Sequence, residues 1–90
     1  MKGDPPDGSE AVVVDARGLR CPLPVIRLAQ RVRDLVPGDL VEVWATDPAA
    51  AADIPAWCRM RGQELLATDE REPADEAAHT AYLVRVVAPG

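Results

Sequence analysis

The chain predicts an α/β (α+β) two-layer sandwich, ordered β-α-β-α-β-β, with a four-stranded mixed sheet and both helices on one face. Three observations carry this expectation. β-branched and alternating apolar runs mark strands near both ends of the chain. One fifteen-residue stretch, Pro22 to Val36, repeats its apolar residues at helical spacing. Finally, two helices cannot cover both faces of a four-stranded sheet, and strands joined through helices prefer right-handed crossovers, which place both helices on the same side.

Ala11-Val12-Val13-Val14, closed by Asp15 and Gly18, reads as the first strand and its turn. Val25, Leu28, Ala29, Val32, Leu35 and Val36 then form the buried face of a helix, with Arg27, Gln30, Arg31 and Asp34 opposite. Pro37-Gly38-Asp39 stops that helix. The second strand is Leu40 to Thr46, with Val41, Val43 and Ala45 on one face and Leu40, Glu42 and Trp44 on the other, where Leu40 and Trp44 form a candidate contact patch. Asp47-Pro48 resembles a helix start, but Pro55 argues against continuity. An initial turn at 48–52 is therefore expected, then a helix from Asp53 or Ile54 to Arg61, ended by Gly62. Gln63 to Asp69 and Ala81 to Val87 are the last strands, the latter alternating Tyr82, Val84 and Val86 against Leu83 and Arg85. Between them, Glu70 to His79 is an acidic connector longer than a tight hairpin needs.

Composition narrows the function classes. At 90 residues the chain suits one domain, taken as residues 11–90, behind a polar, Pro- and Gly-rich segment, residues 1–10, read as a mobile tail. A hydrophobic fraction of 48% with 28% charged residues fits a globular protein rather than a disordered one. Phe is absent, so the core must come from Val, Leu, Ile and Ala. The net charge of −5 and the shortage of stacking aromatics argue against direct nucleic-acid binding. No apolar run approaches a membrane span, and nothing at the N-terminus resembles a signal peptide. Two cysteines are too few for a secreted disulfide framework, which points to a reducing cytoplasm.

Cys21 is the candidate reactive group. Pro22 suits the first helical position, which places Cys21 at the N-cap. There the helix dipole and an unpaired N–H favour a thiolate, and with Pro24 lacking an N–H, the Leu23 N–H is the one expected to point at the sulfur. Arg17 and Arg20 add positive charge, either to assist or contact a partner or as solvated loop charges. Asp15 is expected to brace the loop through backbone N–H groups, and Gly18 to supply a positive φ. Cys58 reads as a packing thiol rather than a relay cysteine, and His79 as an exposed loop residue outside any Cys–His pair. The two cysteines make no C-x-x-C motif, no cluster has zinc-ligand spacing, and neither a metal nor a cofactor is expected. Arg27 and Arg31, with Arg33 nearby, form a basic stripe running from the thiol, a candidate docking surface for an acidic partner rim.

The chain resembles the TusA/SirA-like family of small sulfur-carrier (sulfurtransferase) proteins. The matching residues are Asp15-Ala16-Arg17-Gly18-Leu19-Arg20-Cys21-Pro22-Leu23-Pro24-Val25, then Pro37-Gly38-Asp39, Asp47-Pro48 and Asp53-Ile54-Pro55-Ala56-Trp57-Cys58. Thr46 stands where many relatives carry a second Asp. The resemblance implies a β-α-β-α-β-β sandwich and a persulfide relay: a cysteine desulfurase or other donor loads Cys21, and an acceptor protein takes the sulfur onward. The routes implied are tRNA thiolation, molybdenum-cofactor synthesis or sulfur oxidation. A carrier that visits two partners is expected to be a monomer. The competing expectation is a non-catalytic interaction or regulatory module of the same fold, although a scaffold has no need for a thiol at a helix start.

Overall fold

A β-branched run needs partners for its backbone N–H and C=O groups, and β1 (Val12–Ala16) finds them in β2 (Leu40–Ala45), to which it runs parallel. The computed structural model describes residues 11–74 and 77–87, so the expected tail at residues 1–10 lies outside the described residues. α1 (Leu23–Val32) joins these two strands, and α2 (Ala50–Arg61) leads from β2 to β3 (Glu64–Arg71). The last strand, β4 (His79–Arg85), enters between β2 and β3, antiparallel to both, giving the order β1-β2-β4-β3 and a mixed sheet.

Register decides which side chains meet. Val14 lies beside Val43 and Ala16 beside Ala45, while Tyr82 and Val84 lie opposite Val43 and Val41. All of these are buried, and they form one cluster with Leu28 of α1 and Ala50, Ile54 and Cys58 of α2. Both helices therefore cover the same sheet face, as the spacing predicts. With no Phe available, the core closes through small and branched aliphatic groups around Tyr82. No helix among the described residues is long and apolar enough to cross a membrane.

Several boundaries differ from expectation for identifiable reasons. α1 ends at Val32, and the chain tightens into i→i+3 bonds from Asp34 to the Arg31 carbonyl and from Leu35 to the Val32 carbonyl, both 3.0 Å, which keep Leu35 against the core. α2 is not interrupted. Its start is a tight turn in which Ala50, Ala51 and Ala52 N–H groups bond to Asp47, Pro48 and Ala49 carbonyls, and Asp53 then opens the α pattern on Ala49. Pro55 sits inside the helix, and the carbonyl its missing N–H leaves unpaired belongs to exposed Ala51, where water can take it. Gly62 ends the helix at φ 71°, as predicted, with Gln63 N–H returning to the Cys58 carbonyl at 2.9 Å.

The last two strands are shifted from their expected bounds. Gln63 uses its side chain rather than a strand pairing, accepting the Val87 N–H at 2.7 Å. Val86 in turn bonds the turn at Gly38 and Asp39. Pairing at the other end runs on to Arg71 opposite His79, so the connector shortens to residues 72–78.

His79 is consequently buried at 7% exposure rather than lying in an exposed loop. It faces the uncovered side of the sheet, its ring 5.3 Å from Trp44. The Arg17 guanidinium lies 4.9 Å over Trp44, whose Nε1–H donates to Glu42 at 2.8 Å. Glu42 also receives two N–H groups of Arg71, each at 3.1 Å. The expected Leu40/Trp44 patch is thus covered in part, at Trp44, by charged neighbours.

Candidate functional site

The site begins where β1 and β2 end together. Because Ala16 pairs with Ala45, the residues that follow, Arg17-Gly18 and Thr46-Asp47, emerge side by side, and the second pair ties down the first. The Gly18 N–H donates to Thr46 Oγ1 at 2.9 Å, and Gly18 adopts φ 81°, a left-handed conformation that a residue with a Cβ rarely takes. Asp15 braces the loop as expected. Its carboxylate accepts the Arg17 N–H at 3.2 Å and two guanidinium N–H groups at 2.8 Å each, and these Arg17 hydrogen bonds lower its pKa to about 2.

Cys21 lies within this loop, half-buried, its backbone N–H donating to Asp47 Oδ2 at 2.8 Å. The other oxygen of Asp47 accepts the Ala49 N–H at 3.0 Å, so one carboxylate fastens the thiol loop to the entry of α2. The N–H groups of Ala49 and Cys21 hold the Asp47 carboxyl below the usual carboxylate range.

The local geometry at the thiol overturns the expected N-cap. Pro22, not Cys21, is the N-cap residue of α1, and Pro24 falls at the second helical position. The Leu23 N–H, expected at the sulfur, instead donates to the Arg20 carbonyl at 2.9 Å, while Ile26 N–H bonds the Pro22 carbonyl at 3.0 Å. The sulfur therefore sits one residue outside the helix end. Asp53 from α2 lies near enough to act on its thiol electrostatically.

The electrostatic sign is reversed accordingly. Burial, first, and then the Asp53 and Asp47 carboxylates together push the Cys21 thiol up to about 11. Cys58 is also raised, chiefly by burial in the core, with the charge of Arg59 pulling it back down. At rest Cys21 is a thiol, not a thiolate.

Of the remaining candidates, Arg20 is exposed and its charge reaches Asp47. Arg27 and Arg31 lie on the outward face of α1, along a shallow groove beside Val13 and Asp15, and Arg31 pairs with Asp34 at 3.6 Å. Arg20, Pro22, Leu23 and Pro24 thus flank Cys21 in its loop and the first turn of α1, Asp15 and Arg17 lie with Trp44 on the uncovered sheet face, and Arg27 and Arg31 follow along α1.

Two acidic residues escaped the sequence reading as parts of this site. Asp47 reads as a helix cap and does serve as one, but the parallel pairing of the two strands also delivers it to Cys21. Asp53 reads as a helix-start residue. Its signal is positional: as part of the first turn of α2, it lies at the same end of the fold as the end of β1.

The described chain matches the family model "Sulfurtransferase TusA" over residues 12–85. A sulfur carrier protein TusA of Pseudomonas aeruginosa strain PAO1 is 45% identical over 73 residues, covering 81% of this chain and 86% of that protein. One from Pseudomonas syringae pv. tomato is 52% identical over 60 residues, covering 67% and 71%. Among solved structures, a SirA-like protein from Desulfitobacterium hafniense superposes with a TM-score of 0.61 at 23% identity, covering 81% of this chain and 95% of that one. The two-layer sandwich, the Cys-Pro-x-Pro loop and these matches converge, and the chain belongs to the TusA sulfurtransferase family.

Proposed function

We propose that the protein carries sulfur as a persulfide on Cys21, taking it from a cysteine desulfurase or another persulfide donor and handing it to an acceptor protein. The observation that carries this reading is a half-buried thiol on the family's Cys-Pro-x-Pro loop, held by hydrogen bonds to a second segment, Thr46-Asp47. A cysteine needed only for packing would not call for such anchoring.

Loading is a thiol exchange. The Cys21 sulfur attacks the terminal sulfur of the donor persulfide, a new S–S bond forms at Cys21, and the old S–S bond breaks with the electron pair leaving on the donor thiolate. The proton leaving Cys21 ends on the departing thiolate. Unloading runs the same exchange on an acceptor thiol.

A resting thiol at about 11 makes the free carrier a poor nucleophile near pH 7, where only about one molecule in 10⁴ is ionised. Activation therefore belongs to the docked complex: a donor surface that neutralises Asp47 and Asp53 lowers the thiol's pKa there and leaves it protected elsewhere. Arg27 and Arg31 supply the docking contacts along α1. The acceptor serves tRNA thiolation, molybdenum-cofactor assembly or sulfur metabolism, in the cytoplasm and with the carrier as a monomer.

The test is incubation with a cysteine desulfurase and ³⁵S-cysteine. Label is expected on the wild-type chain and absent from Cys21→Ala. The raised thiol pKa favours one other reading, a non-catalytic interaction module, and equal labelling of both chains, or of neither, supports that reading instead.

A further inference from the structure

The C-terminal ends of the two helices, one helix length of about 15 Å from Cys21, enclose a cavity of about 440 Å³. That volume falls in the range of small-molecule sites, roughly 300–1,000 Å³. Its walls are mainly apolar, from Val32, Leu35, Val36 and Trp57, and it opens to solvent where Val36 is 62% exposed.

The polar side chains of the lining decide what could enter. Gln63 is already engaged at both ends, its carbonyl by the Val87 N–H and its amide with the Arg61 carbonyl. Arg33, Arg61 and the Trp57 indole remain. Among the described residues none of these three side chains has a hydrogen-bond or ion-pair partner, unlike Arg31, which pairs with Asp34. All three are donors. Two cations at helix C-termini favour the helices, yet that placement leaves their N–H forks directed to solvent at the cavity. An occupant must bring acceptors with negative charge, and the walls call for an aliphatic body.

We propose that this cavity binds an aliphatic carboxylate, its chain against Leu35, Val36 and Trp57 and its head toward Arg33 and Arg61. The site is separate from Cys21, so it stands or falls independently of the sulfur-carrier reading.

Titrating the ¹⁵N-labelled full-length chain with decanoate, below its micelle concentration, tests the proposal. Saturable shifts are expected at the Trp57 indole and the Val36 and Val87 amides, with the amides around Gly18 and Cys21 unmoved. Decanol should bind about three- to fivefold more weakly, since two exposed charge contacts are lost. High salt should erase that difference, and the exposed pair Arg33→Glu/Arg61→Glu, checked for folding by circular dichroism, should abolish it. Absence of saturation, equal binding of decanol, or shifts centred on the Trp44 face of the sheet would overturn the proposal.

Discussion

The two cysteines of this protein have both been pushed away from ionisation, and they differ in whether that can be undone. Cys58 is closed into the core beside Ile54, and its thiol is raised chiefly by burial, which no partner can relieve without opening the fold. Cys21 is only half-buried, and although burial is the largest cause of its shift too, the Asp53 and Asp47 carboxylates add to it. Desolvation by a core is permanent, whereas repulsion by half-buried carboxylates is cancelled by a positive charge that docks there. The difference teaches that part of the suppression at Cys21 is of a kind an approaching positive charge can relieve, which the suppression at Cys58 is not.

The largest test of that contrast is exchange of the sulfurs themselves. Cys21→Ser should lose all persulfide loading by a desulfurase, read by mass spectrometry, whereas Cys58→Ala should load at the wild-type rate. Next comes Asp53→Asn, which removes a negative charge that helps hold the proton on Cys21. Its thiol pKa should fall below about 11 while burial, the largest cause, keeps it above the ordinary thiol value, and iodoacetamide alkylation at pH 8 should rise about fivefold; an unchanged rate would leave burial as the sole cause. Because the shift is upward, wild-type alkylation should keep climbing through pH 9 and level off only near 11, a profile followed by absorbance at 240 nm.

Asp47→Asn should act in the same direction with a smaller rise of about threefold, because it bears on the thiol only through its charge, while it also gives up one of the two acceptors that hold the Cys21 and Ala49 N–H groups. The smallest expected effect is on Cys58. Cys58→Ala should lower stability by about 1 kcal/mol in urea denaturation through the lost core packing, with no change at Cys21. Rapid alkylation of Cys58 in the folded chain would break the comparison at its other end.

Much of the architecture was legible residue by residue. The Val41, Val43, Ala45 alternation and the Val25, Leu28, Val32 spacing named the buried faces, because a period of two or 3.6 leaves only one side available to a core. Gly62 marked the end of α2 for an equally local reason, a left-handed φ. Pro55 misled, since propensity assigns it a break while its position early in α2 lets water absorb the missing bond. His79 misled because nothing nearby in the chain reveals that β4 will slot between β2 and β3 and draw it under Trp44.

Order of elements, the helix-covered sheet face and the loop bearing Cys21 followed from the amino-acid sequence alone, since each depends on side chains within a few positions of one another. The charge state of the thiol was settled only in three dimensions. Parallel pairing of β1 with β2 carried Asp47 to the loop, and packing of α2 on the same sheet face set Asp53 against the sulfur. Electrostatic energy depends on distance through space, and spacing along a chain does not report that distance.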